Sequence, residues 1–184
     1  MYDIIHVLCT LQCNIIYRGV YEDMGFDAVI KINTLRELGL PSAGAPDMMP
    51  DMLPDDAREM LSEGRTSEDV CTGRVAVRRG NVHITFSEAD GVDVEYVFSK
   101  DTPGIVTMSR KPKSGEAKLF MVFEQGKRHI CVNREDDDGF EIIVCTSVLH
   151  NRITSNGTLD IEYAVWLHGI RIERTELHMT VTKM

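Results

Sequence analysis

The sequence has no long apolar run and no excess of basic residues. No apolar stretch approaches the roughly 20 residues that a membrane-spanning helix needs, so we expect no membrane partner. The formal net charge is −9. Because an acidic chain repels phosphate backbones, we expect no nucleic-acid partner. Most of this charge lies in residues 1–72, which carry 13 acidic and 5 basic side chains. The first third of the chain is therefore expected to differ from the rest.

Paired cysteine motifs and metal-ligand spacings are also missing. The five cysteines are odd in number and form no CxxC pair, which argues against a disulfide framework. His6, Cys9 and Cys13 lack a fourth ligand for zinc. On a strand, His6 and Cys9 would face opposite sides, whereas a helix would bring the three residues together. The acids at residues 135–138 are consecutive, whereas a calcium loop needs alternating ones. We predict no metal and no cofactor.

Sequence motifs that position a nucleophile are missing as well. The sequence has no GxSxG nucleophile elbow and no glycine loop that cradles a phosphate. Its first residues lack the basic stretch and the small-residue cleavage site of a secretory signal. We therefore predict no catalytic residues, and we favour a non-enzymatic protein located in the cytoplasm.

A period of two dominates the sequence from about residue 70 onward. Successive side chains of a strand point to opposite faces, so a half-buried strand alternates apolar and polar residues. The clearest example is the apolar set Leu159, Ile161, Tyr163, Val165 and Leu167. After the dipeptide His168-Gly169, which fits a tight hairpin turn, the pattern returns at Leu177, Met179 and Val181.

The same alternation extends over most of the chain. It predicts strands near residues 73–79, 81–88, 92–99, 104–110, 118–124, 127–134, 139–146 and 148–154. Turn dipeptides such as Asp90-Gly91 and Gln125-Gly126 separate them. Short strands with a turn signal about every ten residues indicate a sandwich or a barrel, and a closed barrel has no exposed edge strands. We therefore predict a mainly β fold, a single antiparallel β-barrel.

The first third of the chain is less regular. Residues 4–16 and 26–32 are apolar enough for strands. The sequence Thr34-Leu35-Arg36-Glu37 has the spacing of a helix capping box, and Asp55 can cap a second short helix. Most of the prolines lie between them, at residues 41–54, which favours an irregular loop there. We predict one domain, residues 1–184, with an acidic loop-and-helix insertion at residues 33–69.

Several short motifs in the C-terminal two-thirds have a familiar order and spacing. The segment Met121–His129 reads as a strand, a glycine turn and a basic-histidine return strand, and Thr72-Gly73 precedes an alternating hairpin. Other matching positions are Arg110, Gly115, Leu149, Asn151, Gly157, Leu159, Ile161, Tyr163 and Gly169. Over residues 70–184 the chain resembles the YwiB-like family, small bacterial proteins of unknown function. That resemblance implies a calycin-type, lipocalin-like β-barrel, and it implies no activity.

The chain departs from the family pattern in two places. The family has a much shorter connection where this chain has residues 33–69. It also tends to have an asparagine in the last hairpin, where this chain reads Arg171-Ile172-Glu173-Arg174-Thr175. A function that depends on either place does not follow from the resemblance.

One polar cluster stands out as a candidate binding site. It surrounds the Gln125-Gly126 turn and consists of Glu124, Lys127, Arg128 and His129. At the mouth of a barrel, the cations can hold an anionic ligand and the imidazole can exchange protons near neutral pH. The same residues also fit an ordinary solvated turn whose charges pair across the hairpin. The sequence leaves both interpretations open.

A ligand-binding barrel is the leading functional hypothesis, by analogy with the carriers among the calycins. Barrels of about eight strands have an interior that side chains just fill or that holds one small ligand. The expected ligand is a small apolar or anionic molecule, with Arg110, Arg128 and His129 as polar anchors. The predicted apolar lining consists of Phe123, Ile142, Val144, Tyr163 and Val165.

A protein-interaction module is the alternative hypothesis. It uses the acidic segment 33–69, whose charge favours a basic protein as partner. Flexible methionine side chains suit adaptable binding surfaces, and this segment contains Met48, Met49, Met52 and Met60. The two hypotheses differ in where the binding surface lies, inside a barrel or outside it on the insertion.

Overall fold

The computed structural model describes residues 24–39, 64–112, 118–135 and 138–184. Within these ranges the chain forms ten β-strands and one short helix, α1 (Ile153–Asn156), which lies between the eighth and ninth strands. The strands are β1 (Met24–Leu38), β2 (Arg65–Arg78), β3 (Asn81–Ser87), β4 (Val92–Phe98), β5 (Ile105–Pro112), β6 (Lys118–Glu124), β7 (Arg128–Glu135), β8 (Asp138–Arg152), β9 (Thr158–Leu167) and β10 (Ile170–Lys183).

The strands form a closed antiparallel barrel. Each strand pairs with its neighbours in the sequence, and β1 pairs with both β2 and β10. In this register Ile30 on β1 lies opposite Cys71 on β2 and Val181 on β10. The Met184 N–H donates to the Asp27 carbonyl at 3.0 Å, which extends the pairing to the end of the chain. The prediction of a mainly β fold, a single antiparallel barrel, is confirmed.

Alternation along the strands fills the interior of the barrel with apolar side chains. On β3, for example, Val82, Ile84 and Phe86 are buried, while His83 and Thr85 lie between them on the other face. Burying a side chain of this kind stabilises the fold by about 1.5–3 kcal/mol. The largest fully buried apolar side chains are Phe123, Ile30, Ile84, Ile153, Leu159, Ile161 and Met179.

Two hairpins depend on a left-handed backbone. Between β2 and β3, φ is 52° at Arg79 and 84° at Gly80; between β9 and β10, φ is 48° at His168 and 80° at Gly169. Positive φ at both central residues is characteristic of the type I′ turn, whose twist matches that of the flanking strands. The predicted hairpin turn at His168-Gly169 is confirmed.

The segment predicted as an insertion at residues 33–69 is narrower than expected. Residues 33–38 continue β1, and residues 65–69 belong to β2. Thr34 lies opposite Ser67, and their side-chain oxygens are 2.6 Å apart. The predicted helical turn beginning at Thr34 is therefore wrong, because a strand that pairs on both sides satisfies its backbone better than a short capped turn does.

Other predictions for the first third fall outside the described residues. They are the strand at residues 4–16, the short helix capped by Asp55, and the irregular loop at residues 41–54. The single domain over residues 1–184 stays a prediction for the same reason.

The two ends of the barrel differ. At one end, which we call the mouth, β1, β3, β5, β7 and β9 finish and the even-numbered strands begin. At the opposite end, α1 follows β8, and its residue Ile153 is 2% exposed and belongs to the core. Gly157 ends this helix with a left-handed φ of 76°, and its N–H donates to the Arg152 and Ile153 carbonyls. α1 therefore packs against the core at the end that lies away from the mouth.

Ion pairs reinforce the outer wall where β1, β10 and β9 meet. Arg174 on β10 donates to Glu162 on β9 at 2.7 Å, to Glu176 at 2.9 Å and to Glu37 on β1 at 3.3 Å. The hydrogen bond from Arg174 lowers the pKa of Glu162 below its ordinary 4.5. Exposed ion pairs contribute about 0.2–1 kcal/mol each, so this cluster adds modestly to the backbone pairing.

We expect Gly73→Ala to lower the free energy of unfolding by about 1–3 kcal/mol, as overpacked interiors do. A Cβ at this position would lie 2.4 Å from the Thr85 carbonyl oxygen and 2.5 Å from Ile30 Cδ1. The matched control is Gly104→Ala, whose added Cβ has no atom within 4 Å and should change stability by no more than about 0.5 kcal/mol. Urea unfolding of both variants measures the difference, and equal stabilities would contradict the close packing at Gly73.

We expect Glu162→Gln to cost about 0.2–1 kcal/mol of stability at neutral pH. A carboxylate whose pKa is lowered by folding stabilises the protein above its unfolded pKa, and this contribution disappears as the pH falls through the folded pKa. The loss of stability caused by Glu162→Gln should therefore be full at neutral pH and absent well below pH 4.5, the ordinary pKa of a glutamate. Thermal unfolding across this range measures it. Asp101→Asn, at an exposed position without an ion pair among the described residues, is the control, and a cost of Glu162→Gln that persists in acid would refute the ion-pair explanation.

Candidate functional site

A cavity of about 790 Å³ lies inside the barrel at its mouth. This volume is within the range of roughly 300–1,000 Å³ that is typical of small-molecule sites. Inward-facing side chains from several strands give it an apolar lining: Ile32, Phe86, Val94, Met108, Leu119, Met121, Ile142, Val165 and Leu177. Polar side chains also line the cavity, and they supply hydrogen-bond donors and acceptors.

Arg110 is the charged side chain that β5 contributes to the cavity. In the register it lies opposite Val94 on β4 and Leu119 on β6. Its Nη2 donates to Glu88, which follows β3, and both side chains are 32% exposed. Its Nε is buried and has no hydrogen-bond partner among the described residues. Because an unpaired buried donor costs about 1–3 kcal/mol, a ligand acceptor at this atom would be favoured.

Tyr96 contributes a buried hydroxyl to the same cavity. It lies on β4 opposite Met108 and is 4% exposed. Its ring is stacked between those of Phe86 and Phe98, with centroid separations of 6.4 and 6.5 Å. Burial, more than any nearby charge, raises the pKa of Tyr96 far above its ordinary value of 10. The hydroxyl therefore stays protonated and remains able to donate a hydrogen bond.

Two hydroxyl-bearing side chains, Tyr163 and Thr175, lie on the β9–β10 side of the cavity. The Thr175 hydroxyl donates to Glu173 at 2.5 Å. The Tyr163 ring also packs against Phe123 at a centroid distance of 5.0 Å. Burial raises the pKa of Tyr163, so this hydroxyl too is neutral at physiological pH.

Charges of both signs surround the cavity. The basic lining residues are Arg36, Arg65 and Arg110, and the acidic ones are Asp69, Glu88, Asp90 and Glu173. Carboxylates close to a site repel additional negative charge. The arrangement therefore suits a neutral acceptor or a single negative charge next to Arg110 rather than a polyanion.

The predicted apolar lining is divided between the cavity and the core. Ile142 and Val165 line the cavity, as do the predicted residues Arg110 and Tyr163. Phe123 and Val144 are 1% and 0% exposed and do not line it. Phe123 instead packs behind the cavity lining, where its ring contacts that of Tyr163.

The predicted polar cluster at the β6–β7 hairpin lies at the other end of the barrel. On β6, Glu124 lies opposite Ile105, whereas Leu119 lies opposite Arg110, so the two positions are five residues, or about 17 Å, apart. His129 Nε2 is 3.1 Å from Glu124 Oε2, which is the pairing across the turn that the sequence also allowed. Lys127 and Arg128 are exposed at the same turn. The structure does not bring Arg128 or His129 to Arg110.

Most of the polar lining residues were not predicted from the sequence, among them Arg36, Glu88, Tyr96, Glu173 and Thr175. Tyr96 did carry a usable signal, because it shares a strand face with Val94 and Phe98. The sequence around Glu88 carries no such signal. Glu88 follows β3, and it comes close to Arg110 on β5 only because β3 pairs with β4 and β4 pairs with β5. Its role depends on the register of three strands, which local sequence does not specify.

No group of three or more histidine, cysteine, aspartate or glutamate side chains among the described residues converges to hold a metal ion. None of the helices described is long and apolar enough to cross a membrane.

The ring of strands and the cavity at its mouth define the class of this protein, a closed antiparallel β-barrel with an internal cavity. The chain belongs to the family described as "Domain of unknown function (DUF1934)", whose model matches residues 58–179. It is also similar in structure to the ywiB protein from Bacillus subtilis, with 14% sequence identity and a TM-score of 0.62 over 91% of this chain and 99% of that one. At this identity the likeness establishes the fold alone. The resemblance to the YwiB-like family is confirmed, and no curated protein matches the chain.

Proposed function

We propose that this protein binds a small molecule in the cavity at the mouth of its barrel. The proposed ligand has an apolar body and one oxygen acceptor, neutral or singly negative. The observation that carries the proposal is the Arg110 Nε, a buried donor without a partner among the described residues, on the wall of a cavity of about 790 Å³.

The size of the barrel supports an internal ligand. Barrels of about eight strands have interiors that their own side chains fill or that hold one small ligand, and the diameter grows with strand number. This barrel has ten strands, so its interior is wider than that of an eight-stranded barrel lined by side chains of the same size. The apolar lining, which includes Met108, Met121 and Ile142, would take up the body of the ligand by the hydrophobic effect.

The polar groups support recognition of a single acceptor. Arg110 can donate from Nε while it keeps its hydrogen bond to Glu88. Tyr96 can donate from a hydroxyl that stays protonated, because burial raises its pKa. Glu88 and Glu173 stand close enough to disfavour a ligand with several negative charges.

Binding fits these groups better than catalysis does. A general base works best when its pKa lies near the operating pH. The pKa values of Tyr96 and Tyr163 are both raised by burial, away from neutrality. The buried hydroxyls therefore suit fixed hydrogen bonding rather than proton transfer.

Native mass spectrometry of freshly purified protein tests the proposal directly. We expect a mass above that of the chain, with the excess lost on denaturation. If the preparation is empty, the apolar anion 8-anilinonaphthalene-1-sulfonate serves as a probe, and its fluorescence should rise on binding. A bare mass together with no fluorescence change would overturn the proposal.

The role of Arg110 is tested with Arg110→Lys. Lysine keeps the positive charge beside Glu88 but removes the Nε donor, so we expect the probe to bind about tenfold more weakly, which corresponds to the loss of one charge-assisted hydrogen bond. Arg128→Lys is the matched control, because Arg128 lies at the opposite end of the barrel. Equal affinities of the two variants would place the probe elsewhere.

Two other predictions from the sequence are a basic protein partner and a cytoplasmic location. A basic protein partner for the segment 33–69 depends on residues 40–63, which lie outside the described residues. A cytoplasmic location is an expectation from the sequence alone.

A further inference from the structure

The outer wall of β6, β7, β8 and β9 carries an unusual set of apolar side chains. Phe120 is 41% exposed, Ile130 68% and Val132 37%. Together with partly buried neighbours they form what we call the apolar face: Phe120, Val122, Ile130, Val132, Ile143 and Trp166. The face is continuous across strands, since Ile143 on β8 lies opposite both Ile130 and Trp166.

The outer wall of β3 and β4 is more polar. The outward positions of β3 and β4 include His83 and Thr85 on one strand and Asp93 and Glu95 on the other. An antiparallel sheet with one solvated face normally shows this pattern. Contiguous exposed apolar surface on a soluble protein commonly marks a contact with another molecule.

We propose that the apolar face binds a second copy of this chain. A partner strand cannot be added at an edge, because the ring of described strands is closed. Association must therefore be face to face, as between the two sheets of a β-sandwich. The occupant is identified from the charges that border the face.

Two of the charges that border the apolar face have opposite signs and lie on its central strands, β7 and β8. Arg128 lies opposite Cys145, two residues to one side of the Ile130–Ile143 pair, and Glu141 lies opposite Val132, two residues to the other side. Among the described residues neither charge has a hydrogen bond or an ion pair. A two-fold axis in the plane of the face, through the Ile130–Ile143 pair, can place each copy's Arg128 over the other's Glu141. The face is then complementary to itself, as a two-fold interface requires.

The net charge of the protein also favours a dimer interface at the apolar face. Two copies that each carry a net charge of −9 repel each other. None of the six residues of the apolar face is charged, so two copies meet there at a lower electrostatic cost than across acidic surface.

Analytical ultracentrifugation over a range of concentrations tests the proposal. We expect the wild type to be a dimer, and Ile130→Asp to weaken dimerisation by tenfold or more, on the order of a lost central contact. Val70→Asp is the matched control, since Val70 is 62% exposed against 68% for Ile130 and lies on β2, five strands around the ring. It should remain a dimer. Because both positions are exposed, circular dichroism should show both variants folded.

A charge exchange tests the two-fold arrangement itself. Arg128→Glu and Glu141→Arg should each weaken the dimer by about tenfold, because like charges then oppose each other twice across the axis. The double variant should recover most of the wild-type affinity. A wild type that stays monomeric up to about 100 µM, a weak association at best, would overturn the proposal. A dimer that survives Ile130→Asp, or a double variant no better than the single ones, would do the same.

Discussion

The pairing of β1 with both β10 and β2 is the constraint on which the rest of the structure depends. Every other ladder joins strands that follow each other in the sequence, so a hairpin can form it locally. The β1–β10 ladder instead joins residues as distant as Ala28 and Lys183. Once it forms, no described strand has a free edge, and the diameter of the barrel is fixed. That diameter sets the volume left at the mouth, and closure leaves no described edge to which another chain could add a strand.

The alternation of side chains predicted most of the fold, because it is a local property that tertiary contacts preserve. The strand around Leu159–Leu167 and the His168-Gly169 turn are where the sequence placed them. The prediction failed at Thr34, where a capping-box spacing competes with strand pairing. Hydrogen bonds to two neighbouring strands decided that competition, and neither neighbour is visible in the local sequence.

The candidate site could be predicted only in part. Arg110 and Tyr163 could be assigned to the interior from their own strands, and both line the cavity. The hairpin residues Arg128 and His129 could not be placed correctly, because alternation tells which face a side chain takes and not which end of the barrel it occupies. Glu88 meets Arg110 only through two successive strand registers. Sites built from many strands are therefore the least predictable part of a barrel.

The hydrogen bond from the Met184 N–H to the Asp27 carbonyl joins the residue after β10 to β1, the first described strand. In topological terms the barrel is a cycle, and a cycle has no first member. If the end of β10 were joined to the start of β1 and another hairpin were cut, every strand would keep the same two partners, which is the condition that circular permutation requires. The order of the strands along the chain and their order around the barrel are thus separable. The fold specifies which strands are neighbours in the barrel. The order of the strands in this sequence is one of several that can give the same neighbours.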